Sequence, residues 1–209
     1  MLALSLLGLA ARSFGANLGV TLLLPNGRPL VGAVVTAQIA EAVNHPAAPV
    51  QAIMDQVDRA FSPDILVIPV NSSVSFPNSD SVSHQIYSFS PAKRFQLPLY
   101  RGKPYPPTVF DHPGLVTLGC NIHDEMLAYI VVTNAPFFGR TDPSGAWSAD
   151  VPPGIYHVSI WHPRLREEAT ALEAEVEVAD HSGGALTLHL KKPLKPAPLE
   201  GRPHSWDSY

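Results

Sequence analysis

One cysteine in 209 residues gives no support to an internal disulfide, and charge is nearly as scarce, at 15% of the chain. The formal net charge of -4 is spread along the sequence. It offers no basic stripe for nucleic acid and no polybasic segment for a membrane surface. Long amphipathic helical patterns are also missing, and the apolar segment Met1 to Ala10, MLALSLLGLA, is too short to span a bilayer. That segment resembles the apolar region and small-residue cleavage zone of a secretory signal, although Arg12 lies on the wrong side of it to serve as the usual basic start. Residues 1–16 are therefore expected to direct export. In an exported protein a single thiol is reactive, intermolecular or occupied by a metal, which singles out Cys120.

What the chain does have is punctuation. Twenty-two prolines and 14 glycines separate short apolar runs, and hydrophobic residues make up 45% of the whole, the pattern of an all-β protein of one or two compact units. Leu18 to Leu24 and Leu30 to Gln38 flank Pro25-Asn26-Gly27-Arg28-Pro29, whose Asn-Gly predicts a hairpin. Helical spacing of Val50, Ile53, Met54 and Val57 predicts a short connecting helix over residues 49–60. Further strands are expected at 65–70, 73–76, 85–89, 108–110, 115–119, 129–133, 147–151, 155–161, 173–178 and 185–190. Residues 90–107, with five prolines, two lysines and two arginines, read as a long basic surface loop able to dock an acidic partner. Residues 192–209 read as a disordered Pro-rich tail.

The chemistry concentrates in Cys120-Asn121-Ile122-His123-Asp124-Glu125-Met126, where two-residue gaps separate Cys from His and His from Met between two strands. One loop of this kind can wrap a single ion. Type 1 copper takes one thiolate, two imidazoles and, usually, a weak axial thioether. The missing imidazole is assigned to His84, which follows the loop at 77–83 and opens an apolar strand. Singly, a Cys, a His and a Met are ordinary core residues, but the ordered set within a β pattern points to copper. Zinc would leave the Met without a role.

His112 precedes a Pro-Gly turn and is read as a surface residue. His157 and His162 are read as structural, and Phe89 and Tyr129 as core aromatics. Without paired His-x-His motifs, a multi-copper oxidase or reductase is disfavoured, and four protein donors leave a single ion no open position for catalysis.

FPNSDSVSHQIYSFS followed by FDHPGLVTLGCNIHDEMLAYIVV resembles the cupredoxin family, and the short Cys-x-x-His-x-x-Met loop is most similar to amicyanin among the amicyanin and plastocyanin type, of the kind called methylamine utilization proteins. The resemblance implies a Greek-key β-sandwich over residues 52–133. It further implies one type 1 copper ion held by His84, Cys120 and His123 as equatorial ligands and Met126 as the axial one. It also implies single-electron transfer with a redox protein such as a c-type cytochrome or an amine dehydrogenase, in the periplasm or otherwise outside the cytoplasm. The sequence departs from the family at Gln85, where an Asn usually ties the two ligand loops together. Asn78 or Asn121 is available to brace them instead. Asp124 and Glu125 replace more apolar loop residues.

PNGRPLVGAVVTA and TDPSGAWSADVPPGIYHVSIWHP resemble two halves of a carboxypeptidase regulatory-like, transthyretin-like sandwich. One half precedes the copper region and the other follows it. The expected architecture is thus a cupredoxin β-sandwich inserted into a second, discontinuous β-sandwich made of residues 17–40 and 134–191. A competing reading is a copper-holding or glycan-binding accessory protein in which the second sandwich performs the recognition.

Overall fold

The computed structural model describes residues 15–40, 46–102, 104–180 and 182–197. The expected export segment, except for residues 15 and 16, and the end of the chain after residue 197 lie outside the described residues. Along the chain run β1 (Ala16–Leu23), β2 (Val34–Ile39), β3 (Gln51–Ile53), β4 (Asp55–Val57), β5 (Ala60–Ser62), β6 (Ile65–Pro69), β7 (Ser72–Ser75), β8 (His84–Ser90) and β9 (Lys93–Tyr100). They are followed by β10 (Thr108–Phe110), β11 (Gly114–Cys120), β12 (Leu127–Thr133), β13 (Phe137–Arg140), β14 (Ala146–Val151), β15 (Gly154–Trp161), β16 (Glu173–Val178) and β17 (Gly184–His189). The protein is all-β, and a 3-10 turn at Ala169–Leu172 is the only helical segment among the described residues.

Two hydrophobic cores form, each shared between sheets. The first lies between the sheet β14-β1-β17 and the sheet β13-β2-β15-β16. Alternation decides which residues enter it: Leu18, Val20 and Leu22 from β1 face Tyr156, Val158 and Ile160 from β15. Leu18 and Leu22 are fully buried, and each such side chain contributes about 1.5–3 kcal/mol of transfer free energy. The second core lies between the sheet β6-β12-β11-β8-β9 and the sheet β10-β7-β3, with the β4-β5 hairpin adding Phe61. Its residues run from Met54 to Val132, whereas those of the first come from before and after that span.

Thr141 joins the two chain segments of the first core. Its hydroxyl donates to the Leu30 carbonyl (2.6 Å) and accepts from the Ala33 amide (3.0 Å). Its own amide donates to the Ala33 carbonyl at 2.8 Å. Between the cores, Arg140 donates to the carbonyls of Gly32 and Ile65 (3.0 Å each), and the ring of Tyr129 meets that of Trp161 edge-on, 5.3 Å between centroids.

Several expectations need correction. Residues 49–60 form no helix. Met54 and Gln56 are buried while Ile53 and Val57 are exposed, a period of two, because β3 pairs with β7 and β4 turns into β5; Val50, ahead of β3, is also exposed. The turn residues Asp58 and Arg59 both have positive φ, 52° and 59°, the type I′ conformation without its usual Gly. Residues 93–100, expected as loop, form β9 at the sheet edge. Pro98 is accommodated because the register with β8 shifts between His84 and Ile86, leaving Pro98 and Leu99 in a bulge.

The Asn26-Gly27 turn is present, but β1 and β2 do not pair as a hairpin. After the bridge between Leu23 and Pro29 the chain crosses to the opposite sheet. Phe89 is 75% exposed rather than core, since it sits on the outward row of β8. Tyr129 likewise faces outward, to Trp161. Residues 192–197, assigned to the tail, are tied down: the Lys192 amide donates to Glu167 (2.8 Å), and Arg164 and Lys195 exchange hydrogen bonds.

Two outcomes test this description. Thr141→Val should cost about 1–3 kcal/mol in urea unfolding, because it strands the Leu30 carbonyl and the Ala33 amide inside the core. Burial first, then the charges of Arg164 and Arg140, hold His162 down to about 4 from its ordinary 6.5. The unfolded chain therefore takes up this proton before the folded one does, so the stability contributed by neutral His162 is complete above pH 6.5 and is lost as pH falls toward 4. The unfolding midpoint of the wild type should fall more steeply over that interval than that of His162→Asn.

Candidate metal centre

The site occupies one end of the second core, where the inward rows of three strands run out. On β8 the inward residues are His84, Ile86 and Ser88, and on β11 they are Val116, Leu118 and Cys120. The inward row of β12, Ala128, Ile130 and Val132, is continued one step back by buried Met126. Because β8 and β11 are antiparallel, with Cys120 opposite Ile86, the start of one strand meets the end of the other, and His84 comes beside Cys120. His123 arrives from the short connection between β11 and β12. That connection is closed by the Met126 amide donating to the His123 carbonyl at 3.0 Å.

The atoms converge. His84 Nδ1 lies 3.8 Å from Cys120 Sγ and 3.2 Å from His123 Nδ1, and all three ligand atoms fall within 4.8 Å of one another. Three donors placed trigonally about 2 Å from an ion would stand about 3.5 Å apart, so the separations fit one metal. His84 is fully buried, Cys120 is 3% exposed and His123 is part-exposed, which leaves a single imidazole edge toward solvent. Met126, 2% exposed, belongs to the same core cluster as Cys120. One thiol, two imidazoles and one thioether gathered at this end constitute the donor set of type 1 copper.

The surroundings favour ligation. The Ile122 amide points at Cys120 Sγ at 3.4 Å, a donor suited to a thiolate. Burial, followed by the charge of His84, lowers the His123 pKa and so favours the neutral ring a metal requires. The Nε2 of His84 meets Asp80 Oδ2 at 2.7 Å. Burial pushes the Asp80 carboxyl up, but the Arg59 amide, His84 and the Asp58 amide together outweigh it, and the net shift is downward.

All four sequence-assigned residues are gathered at this end of the core. His112 is not among them: its side chain is 72% exposed and rests on Asp111. Of the two Asn considered as braces, Asn121 takes the role: its Nδ2 donates to Gln85 Oε1 at 3.1 Å, so Gln85 works across the two ligand segments with Asn121 as its partner. Asn78 is spent elsewhere, donating to the carbonyls of Val82 in its own loop and of Tyr100 at the end of β9, at 3.0 Å each. Sequence reasoning missed Asp80 and the β4-β5 turn. The signal available was a carboxylate four residues before His84.

No family model and no curated protein matches the chain. Solved structures do, over less than half of it. A copper-containing nitrite reductase from Thermus scotoductus SA-01 matches at 25% identity over 46% of this chain, with a TM-score of 0.38. A purple cupredoxin from Nitrosopumilus maritimus matches at 26% identity over 39% of this chain and 99% of its own, with a TM-score of 0.35. An amicyanin matches at 17% identity over 47% of this chain and 99% of its own, with a TM-score of 0.37. The chain spans 25% of the nitrite reductase's length.

Beside the site, Gly119 leaves room for Tyr87: a Cβ at that position would stand 2.7 Å from the Tyr87 ring. Gly119→Ala should therefore push the Tyr87 ring aside and destabilise the protein by about 1 kcal/mol. The same change made in a Tyr87→Ala background should cost much less, and a double-mutant cycle by denaturant unfolding reads the difference.

Proposed function

We propose that the protein carries single electrons on one type 1 copper ion, with His84, Cys120 and His123 as equatorial ligands and Met126 as the axial one. The observation that carries this reading is the convergence of His84 Nδ1, Cys120 Sγ and His123 Nδ1 at the closed end of a strand-built core. Bound copper would supply a site that gains and loses one electron.

The chain's own residues do the rest. His84 and Cys120 are fixed by paired strands, and the Gln85-Asn121 bond ties the segment carrying one to the loop carrying the other. A ligand set held in this way has little freedom to rearrange between oxidation states. Burial of Cys120 and Met126 excludes water from the sulfur side. His123, the part-exposed ligand, offers the edge through which an electron would pass, and exposed Ile122 and Leu127 beside its loop give that edge apolar contact area. Four protein donors leave no open position for a substrate, which favours carriage over catalysis.

The partner would be a redox protein such as a c-type cytochrome or a dehydrogenase, met in the periplasm or another exported location. We assign residues 52–133 to the cupredoxin unit, and residues 17–40 with 134–191 to a transthyretin-like unit that serves as a scaffold or interaction module. The division of the two cores along the chain supports that assignment.

Loading the purified full chain with Cu(II) should produce an intense visible thiolate-to-copper band that Cys120→Ser abolishes. Met126→Leu should retain the band while shifting the reduction potential. Absence of the band in the wild type, or its survival in Cys120→Ser, would defeat the reading.

A further inference from the structure

His84 is ligated to its surroundings on both sides of the ring. Its Nδ1 faces Cys120 and His123, and its Nε2 meets Asp80 Oδ2 at 2.7 Å. The carboxylate has little freedom to move. Asp80 Oδ1 accepts from the Asp58 amide and Oδ2 from the Arg59 amide, at 2.8 Å each, so the positive-φ turn between β4 and β5 aims two donors at it. The Asp80 amide is itself held by Asn78 Oδ1 at 3.0 Å.

We propose that Asp80 is a positioning residue for His84: its carboxylate fixes the ring as the Nε2–H tautomer and biases the bound ion toward Cu(II). The proposal rests on the copper reading for its redox part and on geometry alone for the tautomer. An ionised carboxylate only accepts hydrogen bonds, so the proton must sit on Nε2, which leaves the Nδ1 lone pair directed at the place where His123 Nδ1 and Cys120 Sγ converge. A negative charge hydrogen-bonded to the far side of a ligand ring raises the ring's basicity and favours the more highly charged metal. The β4-β5 hairpin acquires a purpose by the same route, since without its two amides Asp80 would be free to turn away from His84.

Three measurements on the full chain decide the matter. In metal-free wild type, at a pH where nitrogen-15 NMR shows the His84 ring to be neutral, the proton should sit on Nε2 with Nδ1 bare; a neutral ring protonated at Nδ1 overturns the proposal whether or not copper ever binds. Asp80→Asn keeps an acceptor and removes the charge. It should retain the visible band and lose about tenfold in preference for Cu(II) over Cu(I), a rise of about 59 mV in potential for a one-electron couple. An unchanged potential overturns the redox part. Asp80→Ala should bind Cu(II) about 10–100-fold more weakly in chelator competition, and wild-type affinity in that variant would also count against the proposal. A wild type that takes up no copper overturns the carrier reading and the redox part together, while the tautomer stands or falls separately.

Discussion

The pleat of three neighbouring strands is the constraint on which the centre depends. His84, Cys120 and Met126 sit on the same inward rows as Ile86, Leu118 and Ala128, so the forces that bury those apolar side chains also deliver an imidazole, a thiol and a thioether to one end of the core. A slip of one residue in β11 would send Cys120 outward together with Val116 and Leu118. The hydrophobic effect thus fixes the register, and the register fixes the ligands. His123 stands outside this logic, since it comes from the middle of the loop and continues no inward row, and it is also the ligand that reaches solvent.

Much of this was legible in the sequence because local pattern and tertiary role agreed. Val116 to Cys120 and Ala128 to Val132 alternate as buried strands must, and the Cys-x-x-His-x-x-Met loop lies where two of them join. Legibility failed where partners distant in sequence decided the outcome. Val50, Ile53, Met54 and Val57 fit a helix on paper, yet pairing with β7 imposes a period of two and leaves only Met54 inside. Lys93 to Tyr100, with its internal Pro98, looked like a loop because a bulge on a sheet edge has no local signature. Asp80 was invisible for the same reason: its importance arises from two amides some twenty residues earlier that fold back onto it.

The two cores keep separate interiors but share a seam. Arg140 reaches from one to the Ile65 carbonyl of the other, and Tyr129, three residues past Met126, rests against Trp161. The strand that leaves the ligand loop therefore has its outward face partly covered by the enclosing sandwich and its inward face in the site's own core. Thr141 closes the enclosing sandwich just past this seam, joining chain segments more than a hundred residues apart. That one strand, β12, therefore touches both cores.

The bulge at Pro98 bears on how such a molecule meets others. A sheet edge with an unbroken row of amides invites a neighbouring chain to add a strand and stay. On β9 the row is broken by a residue with no N–H and by a register shift, and Lys93 and Arg94 stand near its start. Molecules that collide there find the ladder interrupted, which disfavours the lasting addition of a strand along this edge.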